Sequence, residues 1–159
     1  MQRIYGVPLR RLAEKEEENL RIGLLTDIHE AVEPLSEAIN ILRQEQVDEI
    51  VMLGDFCEAG ARIPETCALL LSERIYGVWG NHDYGLCSDA QTGMVARYPD
   101  HVSEYAQQLK PRIQIDQFLF QHVEPHLDAN TIEGLWSLDY SPDSPEKRNR
   151  VFESQGWDI

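Results

Sequence analysis

Seven side chains in this sequence could build a site that binds metal and moves a proton: Asp27, His29, Asp55, Asn81, His82, Asp83 and His122. The densest cluster is Gly80-Asn81-His82-Asp83, which follows the short apolar run Val78-Trp79. Carboxylate, imidazole and amide oxygen together suit Mn²⁺, Fe or Zn²⁺, and the set contains no thiolate. An imidazole in such company can carry a proton, and a carboxylate beside it can orient it. Taken singly, each motif is common. Asp-x-His is usually a turn with a solvated histidine, Gly-Asp is a frequent turn, and Asn-His-Asp can cap a helix. The combination is what carries information.

The candidates share one kind of position, the end of an apolar segment. Ile22-Gly23-Leu24-Leu25 reads as a buried strand delivering Asp27 and His29. Pro34 suits a first helical position, and Leu35, Ala38, Ile39 and Leu42 follow at amphipathic spacing. Ile50 to Leu53 makes a second strand ending in Gly54-Asp55, and Pro64 opens a helix through Leu71. Arg74 to Trp79 is the third strand. This alternation predicts an α/β fold of parallel βαβ units with right-handed crossovers. Ligands in such sheets gather beyond the carboxyl ends of the strands. Asp27, Asp55 and Asn81 are separated by 28 and 26 residues, each about one helix plus one strand.

Further on, Val102, Tyr105, Ala106 and Leu109 predict a helix closed by Pro111. Arg112–Ile115 and Gln117–Phe120 read as a β-hairpin about Asp116, with His122 at its exit. Ile132, Leu135 and Trp136 predict a short helix with Trp136 packed in the core, although that ring could instead cover a pocket. Another helix is expected from Pro145 through Val151-Phe152, and Gly156 to Ile159 reads as an opening strand. Cys57 is expected as a small buried side chain, His101 at the helix surface, His126 in solvent, and Tyr84 either lining the cleft or in a half-exposed loop.

Asp27-Ile28-His29, Gly54-Asp55, Gly80-Asn81-His82-Asp83 and His122 occur in the order and at spacings that resemble the calcineurin-like metallophosphoesterases, over about residues 21–126. The resemblance implies a metallophosphoesterase-type sandwich, with the parallel βαβ sheet facing a partial second sheet that begins with the hairpin. It also implies two divalent metal ions, with Mn, Fe or Zn admissible. Asp27 and His29 would hold one ion, Asn81 and His122 the other, and Asp55 would bridge them. The implied reaction is hydrolysis of a phosphate mono- or diester by a hydroxide that the metal pair activates. His82 would donate the proton and Asp83 would orient His82. The family's closing Gly-His-x-His element does not occur in these 159 residues, so a chain ending before the site is complete is expected. His126 is the spare histidine that could fold back as a substitute. Two rival readings follow: a non-catalytic remnant, and an interaction domain that keeps the fold.

Composition bounds the rest. A charge of −14, from 28 acidic against 14 basic residues, disfavours nucleic acid and favours a small phosphoester substrate. Hydrophobic content of 42% and charged content of 26% are those of a globular domain. Residues 1–20, with the run Glu14 to Glu18, read as a charged arm and 21–159 as one domain, which the resemblance makes a metallophosphoesterase domain incomplete at its C-terminus. Three cysteines without C-x-x-C spacing, no membrane-length apolar run and no secretory signal place the chain in the cytoplasm by elimination.

Overall fold

The computed structural model describes residues 20–58, 60–88 and 95–136. The charged arm, the helix expected at Pro145 and the strand expected at Gly156 lie outside them. Three parallel strands, β1 (Ile22–Leu25), β2 (Glu49–Leu53) and β3 (Tyr76–Val78), form one sheet in the order β1-β2-β3. Their register pairs Leu24 with Val51 and Val51 with Tyr76. The crossovers are α1 (Val32–Gln44) and α2 (Ile63–Ser72). A short helix, α3 (Tyr84–Cys87), follows the third strand, and α4 (Asp100–Ala106) packs on α2. An antiparallel hairpin, β4 (Ile113–Ile115) with β5 (Phe118–Phe120), forms a separate two-stranded sheet among the described residues. The last described element is α5 (Ile132–Trp136).

One apolar cluster explains why these elements assemble. Leu25, Ile50 and Met52 from the sheet meet Leu35 and Ile39 of α1, Cys67 and Leu70 of α2, and Val102, Tyr105 and Ala106 of α4. Strand alternation turns Val51 and Val78 to the other face, where they are also buried. Phe56 and Tyr105 meet edge to face at 5.2 Å, fastening the loop after β2 to α4.

Two boundaries differ from those the sequence predicts. Helix α1 begins at Val32, so Pro34 is its third residue. That costs nothing, because the first four helical N–H groups have no partner within the helix. Strand β3 starts at Tyr76 rather than Arg74, because Arg74 takes a left-handed turn (φ 57°) out of α2. Beyond β3 the ladder continues with a different partner: Trp79 N–H donates to Lys110 O and Lys110 N–H to Gly77 O. Among the described residues, no helix is long and apolar enough to cross a membrane.

Candidate metal centre

The ends of β1 and β2 run on side by side as two interlocked loops. Asp27 N–H donates to Gly54 O, His29 N–H to Asp55 O and Glu30 N–H to Phe56 O, at 3.0–3.1 Å. Asp27, His29, Glu30 and Asp55 all hold positive φ, between 44° and 62°. Asp and His visit that region more readily than most residues, and these cross-loop bonds offset its cost. The result is that Asp27, His29 and Asp55 present ligand atoms within 4.8 Å of one another.

Two glycines allow the third loop to close on this pair. A Cβ at Gly54 (φ 98°) would stand 2.6 Å from His122 Nδ1 and 2.7 Å from Gly80 N. A Cβ at Gly80 would collide with the Asp55 carboxylate. Asp55 and His122 therefore reach the centre only because both positions lack a side chain.

Asp55 lies at the middle. Its Oδ1 accepts the His82 N–H at 3.0 Å, while its Oδ2 faces His122 Nε2 at 3.4 Å and His29 Nε2 at 4.0 Å. His29 Nε2 is 3.7 Å from Asp27 Oδ1, and His122 Nε2 is 3.1 Å from Asn81 Oδ1. Ligands about 2.1 Å from an ion are about 3.0 Å apart at right angles and about 4.2 Å apart when opposite. All four separations fall in that window. The Asn81/His122 side is deep, since the His122 side chain is 12% exposed. The Asp27/His29 side is open, with Asp27 at 55%.

The centre also favours positive charge. Burial lowers the His122 pKa, but the Asp55 carboxylate and the Leu53 carbonyl raise it further, to about 9. The imidazole Nδ1–H donates to Leu53 O at 2.7 Å, which turns Nε2 toward Asp55 and Asn81. The Asp55 carboxylate that draws a proton toward His122 would equally draw a cation. Burial raises the Asp55 pKa, and the paired His122 and the His82 N–H bring it below the ordinary carboxylate value. The donor set and its spacing fit divalent ions.

A family model described as calcineurin-like phosphoesterase matches residues 20–158. The chain belongs to that family. It is 34% identical over 65 residues to the uncharacterized protein MJ0912 of Methanocaldococcus jannaschii, a match covering 41% of this chain and 27% of that protein. The chain thus spans about a quarter of that relative's length. Among solved structures, a candidate diadenosine tetraphosphatase superposes with a TM-score of 0.50 at 22% identity, over 68% of this chain and 57% of its own. A metallophosphoesterase from Sphaerobacter thermophilus gives 0.46 at 20% identity, over 64% and 46%. At 22% identity the tetraphosphatase likeness shows the metallophosphoesterase fold and nothing finer.

Within this calcineurin-like phosphoesterase chain, two expectations need correction. Asp83 does not orient the His82 ring. It is fully buried, and its carboxylate accepts the backbone N–H groups of Asp55 (2.6 Å), Gly80 (2.9 Å) and Cys57 (3.1 Å), so it knits the second loop to the third. Burial pushes its pKa up in spite of those donors. Trp136 is not in the core. It is 55% exposed, with its ring 5.7 Å from that of His82.

Other residues fall where the sequence reading put them or away from the centre. Cys57 is buried, and burial raises its thiol pKa beyond any thiolate role. His101 Nε2 bonds to Pro64 O and His126 is exposed, so neither joins the centre. Tyr84 is half-buried, and its hydroxyl donates to Asn130 O at 3.3 Å.

Two acids escaped the sequence reading. Glu58 Oε2 is 3.8 Å from His29 Nδ1, a buried nitrogen without a hydrogen-bond partner, and His29, Glu58 and His82 form a second group with metal-ligand spacing. Glu30, buried and adjacent to His29, accepts the N–H groups of Glu58, Gly60 and Arg62 at 2.7–2.9 Å, and so shapes the loop that carries Glu58.

Glu30→Ala is expected to destabilise the protein by about 3 kcal/mol, because hydrogen bonds to a charged acceptor contribute roughly 1.5–3 kcal/mol each and a substitute water recovers part of that. Burial raises the Glu30 pKa, and the three backbone donors bring it below its ordinary 4.5. A depressed folded-state pKa means the stabilisation is complete above pH 4.5 and is lost as pH falls through the folded value. Urea midpoints of the two proteins should therefore converge in acid. A constant gap at every pH would contradict this assignment.

Proposed function

We propose that this chain is the metal-binding part of a phosphoesterase that hydrolyses phosphate mono- or diesters, with two divalent ions of Mn, Fe or Zn as cofactors. The observation that carries the reading is the position of Asp55, whose one free oxygen faces His29 on one side and His122 on the other. Asp27 and His29 would hold the outer ion, Asn81 and His122 the inner, and Asp55 both. When bound, such a pair supplies Lewis acidity toward phosphoryl oxygens and lowers the pKa of water.

The protein's own groups do the rest. The Leu53 carbonyl fixes His122 with Nε2 inward, and Glu58 opposite Nδ1 does the same for His29. His82, which contributes no group to the proposed ligand set, sits edge-on to His29 at 4.8 Å and donates the proton to the departing oxygen. Asp83 keeps the His82 and Asp55 loops in register through backbone N–H groups. The substrate is a small molecule, since a charge of −14 repels polyanions. Cys57, Cys67 and Cys87 are all free, which suits a cytoplasmic setting.

Release of p-nitrophenol from p-nitrophenyl phosphate or its bis ester should depend on added Mn²⁺ and stop with chelator. No release with any of the three metals would leave the remnant reading. Copurification of a partner protein together with absent turnover would favour the interaction domain. Glu58→Gln should weaken Mn²⁺ binding about 10-fold by calorimetry, the cost of losing an orienting group behind a ligand. Unchanged affinity would remove Glu58 from the centre.

A further inference from the structure

Trp136 is an exposed indole in a place where the fold has gone to some length to hold it. Segment 128–136 is tied down at several points. Trp79 Nε1–H donates to Ala129 O at 2.9 Å and Tyr84 Oη–H to Asn130 O at 3.3 Å, while within the segment Gly134 N–H donates to Thr131 Oγ1 at 3.0 Å. Leu135 is buried, and a Cβ on Gly134 would run into Asp128 O, so α5 lies tight against its own approach loop. A segment anchored in this way fixes the direction of the side chain that follows. That side chain stays 55% exposed, tilted 45° to the His82 ring with centroids 5.7 Å apart. Ile132, one turn earlier, is 36% exposed.

Position decides what such a ring can do. A proton donor must come within about 3 Å of the leaving oxygen. A group that leaves that oxygen on the Trp136 side of His82 would lie within contact distance of the indole face, since the two rings are 5.7 Å apart. A flat hydrophobic face rewards a flat partner, and base–aromatic stacking tolerates any ring system.

We propose that Trp136 is a stacking platform for a planar aromatic leaving group, of nucleoside or aryl type. This proposal rests on the phosphoesterase reading and on His82 as its proton donor. Trp136 binds and selects the substrate without touching the reacting phosphorus.

The test has two arms. In the first, kcat/KM is measured for adenosine 5′-monophosphate and for glycerol phosphate with the Mn²⁺-loaded protein. The preference for the nucleotide should fall about 5- to 100-fold in Trp136→Ala and largely return in Trp136→Phe. In the second, adenosine 5′-monophosphate and ribose 5-phosphate are titrated without reference to turnover. The protein should bind the nucleotide more tightly by a similar factor, and Trp136→Ala should erase that margin. Trp136→Leu, apolar but not flat, should behave like the alanine variant. An unchanged preference in Trp136→Ala, or full rescue by leucine, overturns the proposal. If neither compound is turned over, the binding margin alone decides the stacking role, and the phosphoesterase reading fails separately.

Discussion

Asparagine in place of Asp55 should lower Mn²⁺ affinity at least about 100-fold and reduce phosphoester hydrolysis to background. Groups that merely orient a ligand are worth roughly 10–100-fold, and Asp55 is placed to be a ligand to two ions at once. Its Oδ2 faces both imidazoles, and its Oδ1 is already committed to the His82 N–H. An asparagine could keep one of these contacts with its carbonyl and would then turn an NH₂ toward the other. The lost negative charge matters as much as the geometry, because the proposed centre would balance its cations with few anions and Asp55 is the one that is nearly fully buried. Calorimetric titration and the thermal shift produced by Mn²⁺ both read the effect. The metal-free variant should still unfold cooperatively, since the apolar cluster under the sheet does not include Asp55. Affinity within a few-fold of the wild-type protein would remove the bridge from the account.

His82→Ala separates chemistry from metal binding. His82 is half-buried, lies beside His29 and Trp136, and contributes its backbone N–H to Asp55. The alanine variant keeps that N–H, so Mn²⁺ affinity should stay near the wild-type value. Turnover should fall about 10²- to 10⁴-fold for an ester whose alkoxide is a poor leaving group. The loss should be smaller for p-nitrophenyl phosphate, whose leaving group departs as a stable anion and needs less protonation. Equal losses on both substrates would show that His82 is not the proton donor. A parallel loss of Mn²⁺ affinity would make it part of the metal cradle instead, in keeping with its place beside His29 and Glu58.

What the amino-acid pattern revealed was the part governed by periodicity. The run Ile22 to Leu25 is β1 as expected, and each chemistry-bearing residue from Asp27 to Asn81 falls just beyond a strand of one parallel sheet. Short apolar runs and prolines near helix starts carry that information locally. Side-chain direction is not encoded locally, and the two corrections arise there. Asp83 follows His82 in sequence, yet its carboxylate turns to backbone N–H groups on the preceding loop. Trp136 and Ile132 have core spacing, but α5 has five residues and buries Gly134 and Leu135 instead. Glu30 gave a faint signal, an acid beside His29, the histidine proposed as a ligand. Its role depends on a loop some thirty residues away, which no window of sequence could show.

The central claim is that Asp27, His29, Asp55, Asn81 and His122 surround one pair of ions. An anomalous difference map from crystals of the protein loaded with Mn²⁺ tests it most directly. The account expects two peaks about 3.5–4 Å apart with Asp55 Oδ2 touching both, Asp27 and His29 around one and Asn81 and His122 around the other. A map with no manganese peak at Asp55, or with the ions bound elsewhere on the acidic surface, would contradict it.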